Sequence, residues 1–286
     1  MSYLLKSSIS LALLADERFA NQKHLVLRPR MEKVKRLRTF CVALVAFGLL
    51  CAGCSSISGS GPGTCITFIK EVNAAGQIIY VNGTAFGGTA CLAKVGSGGF
   101  RILSQAASAI GQPLVAVSSR RGCPWGSGAV CTAHSGFPIK LANAGHEKFT
   151  FVTSEAHIAP GSTYDLGEDQ FYGFGSPLTA EAQPVTELMV IMKYRGDILA
   201  TGGKLATIAG VRYIVKTADT YPAKRIQFVR VDQVNSLRGF RLGPLEQYAV
   251  KHGWLSPKAS LWYMSGIIEV FGLCQGFEAE SYEATG

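Results

Sequence analysis

Hydrophobic and polar positions fall into short runs separated by glycine-rich polar stretches, a rhythm that predicts strands more often than helices. Cys65–Val72, Leu114–Ser119 and Lys148–Ser154 are rich in β-branched or aromatic residues and bounded by Gly, Pro or Ser, and each is expected to be a strand. Gln77–Val81 leads into Asn82-Gly83, whose positive backbone torsions suit a type I′ turn, so a hairpin is expected there. Val211–Lys216 and Arg225–Val231 also read as strands. In the second, Val229 and Val231 interrupt the alternation set by Ile226, Gln227 and Phe228, which indicates burial on both faces. Thr186–Tyr194 is apolar in its middle and suits a strand or a helix equally. Two helices are expected to close the chain. Leu245–His252 lies between Gly243-Pro244 and Gly253, and Ser256-Pro257 supplies a cap and a first-turn proline for a run through Phe271.

These elements predict an α+β fold class. A glycine-rich first part, β-sandwich or barrel-like, spans residues 65–183, and a basic α+β part with a C-terminal helix pair spans 184–286. The segment Ser176–Pro184, with two prolines around a polar stretch, is the expected boundary. Composition agrees with a folded chain: 48% of the 286 residues are hydrophobic and 16% charged, which excludes intrinsic disorder.

Before residue 65 the pattern changes. From Met31 the chain reads MEKVKRLR, then an uncharged apolar stretch from Thr39 to Gly53, then Cys54-Ser55-Ser56. A basic start, a short apolar stretch and small residues describe an export signal, and the stretch is shorter than the roughly 20 residues a membrane-spanning helix needs. Cys51-Ala52-Gly53-Cys54 resembles the lipobox of bacterial lipoproteins, although leucine stands one place early, at Leu50. The resemblance covers Met31 to Ser56 and implies cleavage before Cys54, lipidation of Cys54, and anchoring in the bacterial cell envelope. Ser55 after the modified cysteine implies the periplasmic face of the outer membrane. On this reading residues 1–30 are an upstream over-extension, 31–53 the signal peptide and 54–64 a flexible tether.

The formal charge of +9 is relocated by that reading. Residues 1–53 hold nine Lys and Arg against three Asp and Glu, whereas residues 204–258 hold ten against three and the last 28 residues hold four acids and no base. Arg212, Lys216, Lys224, Arg225, Arg230, Arg238 and Arg241 are therefore candidates for an anion-binding surface. An exported chain does not meet cytoplasmic nucleic acid, so no nucleic-acid partner is expected. Five cysteines remain after Cys54, and in an oxidising compartment the expected bridges are Cys123–Cys131 and Cys65–Cys91, with Cys274 left as a buried thiol.

Candidate chemistry is sparse. Cys123, Cys131, His134 and His146 have zinc-type donors, but their spacing is not compact and disulfide formation competes for both cysteines. Asp165, Glu168 and Asp169 lie within five residues beside aromatics and glycines, and read as a solvated acidic turn. No catalytic residue, metal or cofactor is assigned. The sequence therefore leads to the expectation of a non-enzymatic envelope component, an accessory of a secretion, conjugation or pilus apparatus. Its expected partners are the membrane, through the lipid, and an envelope protein or glycan. The rival expectation is a periplasmic hydrolase acting on cell wall or lipid.

Overall fold

A computed structural model of the chain describes residues 65–285, apart from 74–75, 86–87, 107–114, 127–130, 133–134, 197–201, 221–222 and 273. The leader, Cys54, the tether and His134 lie outside the described residues. In chain order the elements are β1 (Phe68–Val72), β2 (Ile78–Asn82), β3 (Thr84–Ala85), β4 (Gly88–Val95), β5 (Gly99–Ala106), β6 (Val115–Gly122), β7 (Ile139–Lys140) and β8 (Lys148–Ser154). They continue with β9 (Tyr164–Gly173), β10 (Thr186–Arg195), β11 (Lys204–Ile208), β12 (Val211–Asp219), β13 (Lys224–Arg230), β14 (Ser236–Arg241), α1 (Gly243–Lys251), β15 (Ser260–Val270) and β16 (Glu278–Thr285).

Two sheets result. The larger runs β1-β2-β6-β15-β9-β10-β13-β12-β11, with β7 beside β15, and the smaller runs β14-β8-β16-β5-β4-β3. Apart from the parallel β10–β13 pair, neighbouring strands are antiparallel. Pro62–Gly286 forms one compact unit, and Ser176–Pro184 is the connection between the paired strands β9 and β10.

The core fills the space between the sheets. Leu166 and Tyr172 of β9, Leu188 and Val190 of β10, and Met264 and Ile268 of β15 meet Phe149 and Phe151 of β8 and Tyr282 of β16. Gly266 of β15 permits this approach, since a Cβ there would lie 2.7 Å from Phe151 and 2.8 Å from Tyr282. β10 also buries Met189 and Ile191 on its other side, against Val229. Apolar residues on both faces explain why periodicity alone left Thr186–Tyr194 undecided.

The expected α+β class with a helix pair is overturned, because the described residues are mostly β-strand and hold one α-helix. Of the two expected helices only α1 forms, with Pro244 in its first turn and Gly253, at φ +70°, just past its end. The second run is instead β15, near the middle of the larger sheet. Its apolar residues suit burial on both faces, and its pairing with β6 and β9 overrides the helix-like start at Ser256-Pro257. Asn82-Gly83 is likewise not a hairpin turn. Strand β2 stays in the larger sheet and β3 enters the smaller one, and Gly83 is needed for close approach: a Cβ there would lie 2.8 Å from the Ala90 carbonyl oxygen.

Candidate active site

The pleat divides β9 between the two sides of the larger sheet. Glu168 points into the core, where its Oε1 accepts a 3.2 Å hydrogen bond from the Tyr282 hydroxyl. Asp165, Gly167, Asp169 and Phe171 therefore share the outer face, away from the smaller sheet. Register extends that face in rows. Tyr263, Phe171, Glu187 and Arg225 lie across β15, β9, β10 and β13; the next row holds Ser265, Asp169, Met189 and Gln227. Ile267, Gly167, Ile191 and Val229 follow, then Glu269, Asp165 and Tyr194.

Four carboxyl groups are thus gathered on one face, and all are buried: Asp165, Asp169, Glu187 and Glu269. The acidic cluster expected to be a solvated turn is instead a strand at the centre of the sheet. Arg225 Nε donates to Glu187 Oε2 at 2.6 Å. Burial opposes the charge on Arg225, but Glu187 first, then Glu269 and Asp169, outweigh it and raise its pKa.

The remaining three carboxyls are all shifted above the usual carboxylate range. Burial, then the charge of Glu187, raises Asp169 well above the usual range, with Glu269 and Asp165 adding to the effect. Burial and the neighbouring Glu269 do the same to Asp165. Glu269 is pushed up to about 7, chiefly by burial; Arg225 opposes the rise and Asp165, hydrogen-bonded to Glu269, also moderates it. Gly167 leaves no side chain between Asp165 and Asp169, and a Cβ there would sit 2.3 Å from the Val190 carbonyl oxygen.

An aromatic platform adjoins Glu187. Trp125 packs on Phe171 with ring centroids 4.8 Å apart, Phe171 stacks on Tyr263 at 4.9 Å, and Trp125 lies 5.8 Å from Tyr263. All three rings are only partly buried. The Cys123–Cys131 disulfide closes the segment that carries Trp125. Cys65–Cys91 forms the second disulfide, and Cys274 is free and buried.

The two-sheet arrangement is a known architecture. A metagenome-derived family 12 glycoside hydrolase, an endoglucanase, superposes with a TM-score of 0.64 at 21% identity, over 78% of this chain and 96% of its own. Endoglucanase Cel12A from Rhodothermus marinus gives 0.65 at 20% identity, over 78% and 97%. A family 12 xyloglucanase from Bacillus licheniformis gives 0.55 at 17%, over 78% and 94%. The fold is that of family 12 glycoside hydrolases. No family model and no curated protein matches the sequence itself.

A shared fold with carbohydrate-hydrolysing enzymes, joined to a buried carboxylate cluster, overturns the expected non-enzymatic envelope component. The expected envelope-protein partner falls with it. The expected basic surface is dispersed as well. Arg212 pairs with Asp232 and Lys224 with Asp219 at the surface, Arg230 donates to the Asp232 carbonyl oxygen, and Arg238 and Arg241 are exposed on β14 of the other sheet. Lys216 lies on β12 opposite Gln227. Of the seven, Arg225 alone contacts the cluster through a described ion pair, because pleat and sheet order send neighbours in sequence to different faces.

Glu187 and Glu269 were not singled out by the sequence reading. Each is a lone carboxylate inside an apolar run, TELMV and GIIEV, and a charge placed where burial is otherwise complete is the signal that would have found them.

Proposed function

We propose that the protein is a glycoside hydrolase that cleaves within β-linked glucan chains, with Glu269 as general acid and Glu187 as the anionic carboxylate. The observation that carries this reading is the division of roles between two buried carboxyls on one face. Glu187 is ion-paired to Arg225, while Glu269, pushed up to about 7, keeps a proton in mildly acidic solution. Glycoside chemistry requires the two carboxyls to flank the scissile bond. The Glu269 proton moves to the glycosidic oxygen as the bond to the anomeric carbon breaks, and Glu187 meets the positive charge developing at that carbon. Water then adds its hydroxyl to the anomeric carbon and its remaining proton returns to Glu269. The Trp125–Phe171–Tyr263 platform offers ring faces on which the apolar faces of sugar residues stack, beside Glu187. The endoglucanases that share the fold support a glucan as the substrate.

Release of reducing ends from a β-1,4-glucan tests the reading. Glu187→Gln and Glu269→Gln are each expected to lower kcat by about 10²–10⁴-fold with folding retained. Activity of the unaltered protein should fall as pH rises through about 7, where Glu269 loses its proton. Full activity in either variant would remove the assignment.

We also propose that the lipobox-like leader is processed, leaving Cys54 as a lipid-modified amino terminus and the enzyme on the envelope. Support comes from the order of basic, apolar and small residues between Met31 and Ser56. Intact mass of protein extracted from membranes should match a diacylglycerol-modified chain beginning at Cys54. A mass retaining Met1 or Met31 would exclude it.

A further inference from the structure

Arg120 stands out on the outer face of the larger sheet. It lies on β6 opposite Tyr80 of β2 and Ser265 of β15, one row from Tyr263 of the aromatic platform. Its Nε is buried without a hydrogen-bond partner. Burial lowers its pKa, and the neighbours that act on its charge are the phenols of Tyr263 and Tyr80, with no carboxylate among them. The guanidinium nevertheless stays protonated at any pH the protein meets, so among the described residues it is a partly desolvated cation without a counterion, a costly arrangement.

Other arginines nearby are satisfied. Arg225 has Glu187 at 2.6 Å, and the adjacent Arg121, on the opposite side of the strand, donates to the Ser135 carbonyl oxygen at 3.1 Å and to that of Ala284. Around Arg120 the face is cationic and aromatic. Among the described residues, β1 contributes Phe68 and Lys70 to it, β2 contributes Tyr80, and the Lys70 ammonium sits 5.8 Å from the centre of the Tyr80 ring. A sugar residue stacked on the platform at Tyr263 would hold a ring substituent toward this guanidinium.

We propose that this end of the cleft takes a sugar residue bearing a carboxylate, a uronate, and that Arg120 is the residue that receives it. The planar fork of a guanidinium matches a carboxylate through two parallel hydrogen bonds, and the anion supplies the missing counterion. This inference rests on the glycoside hydrolase reading, since it names the substrate class of that same site.

Calorimetric titration tests it with two probes, a β-1,4-gluco-oligosaccharide and the same chain oxidised to glucuronate at C6. The Glu269→Gln protein serves as receptor, because it blocks turnover while leaving the Arg225–Glu187 pair in place. The oxidised chain is expected to bind about tenfold more tightly or better, a ratio that shrinks with added salt. Adding Arg120→Gln should reduce that ratio at least tenfold, and Arg120→Lys should restore part of it. Equal affinity for the two probes, or a ratio unchanged by Arg120→Gln in a protein of native circular dichroism, overturns the inference. If Arg120→Gln does not fold, the ratio with Arg120 in place and in Arg120→Lys decides. A C6-sulfated chain that binds as well as the oxidised one would overturn the assignment to a carboxylate. Cleavage by the unaltered protein separates the two readings. Cleavage of the neutral chain without preference for the acidic one removes the uronate and leaves the hydrolase, whereas Arg120-dependent binding of the acidic chain with neither chain cleaved does the reverse.

Discussion

Arg225 donates to Glu187 at 2.6 Å and its charge also reaches Asp165, Asp169 and Glu269, so one guanidinium serves four carboxyl groups. A single positive charge balances a single carboxylate. Burial raises the pKa of each of the other three, and the one cation offsets that rise only in part. Removing the cation changes both halves of the division of roles. In Arg225→Gln, Glu187 loses the group that orients and balances it, and Glu269 loses the charge that holds its pKa down. On the proposed hydrolase reading, hydrolysis is expected to fall by about 10²-fold or more, and the alkaline limb of the pH–rate profile should move to higher pH. Arg225→Lys should recover part of the rate and return the limb toward its original position. A purely structural role would lower the amount of folded enzyme without moving the limb, so the pH profile distinguishes the two.

Elements explain which parts of this arrangement were legible in the sequence. Lys148–Ser154 is β8, and Val211–Lys216 and Arg225–Val231 correspond closely to β12 and β13, because local β-branched and aromatic content agrees there with the final pairing. The first part was expected to be sandwich-like, and the sandwich extends through the whole described chain. Failures occur where pairing partners distant in sequence decide the outcome. β15 looked like a helix because Leu261, Trp262, Ile268 and Phe271 carry a loose helical spacing; between β6 and β9 it has to be extended, with Gly266 making room for Phe151 and Tyr282. The carboxylates failed for the same reason. Asp165 and Asp169 were visible as a cluster, but their burial depends on β10 and β15, which lie on either side of β9 in the sheet and about 20 and 100 residues further along the chain. Trp125 meets Phe171 and Tyr263 across long stretches of sequence that no local pattern connects. A site assembled from β6, β9, β10, β13 and β15 has no compact motif to leave in the sequence.

Across the whole molecule, buried carboxyls recur outside the cluster as well. Glu168 is raised well above the usual range by burial, and Glu147 and Glu246, near α1, are pushed up to about 7 and about 8, again chiefly by burial. The Tyr172 hydroxyl donates to Glu246 Oε1 at 2.8 Å, so this group has one partner in the core, and Glu147 adds a like charge beside it. All these groups bind protons more tightly in the folded chain than in the unfolded one, where carboxyls titrate near 4.5. Between that value and the folded pKa the native state therefore holds more protons, and stability declines as pH rises. The contribution is complete below about pH 4.5 and is lost through about 7 for Glu147 and Glu269 and about 8 for Glu246. Each group changes stability by up to about 1.4 kcal/mol per pH unit within its window. The thermal midpoint is accordingly expected to fall steadily from pH 5 to pH 8. Glu246→Gln, which keeps a carbonyl oxygen for the Tyr172 hydroxyl but cannot ionise, should flatten that slope and raise the midpoint at pH 8 relative to the unaltered protein. A midpoint that held level or climbed from pH 5 to 8 would mean that the folded state binds these protons no more tightly than the unfolded one. On the proposed hydrolase reading Glu269 must also be protonated to donate to the glycosidic oxygen, so stability and turnover favour the same mildly acidic range.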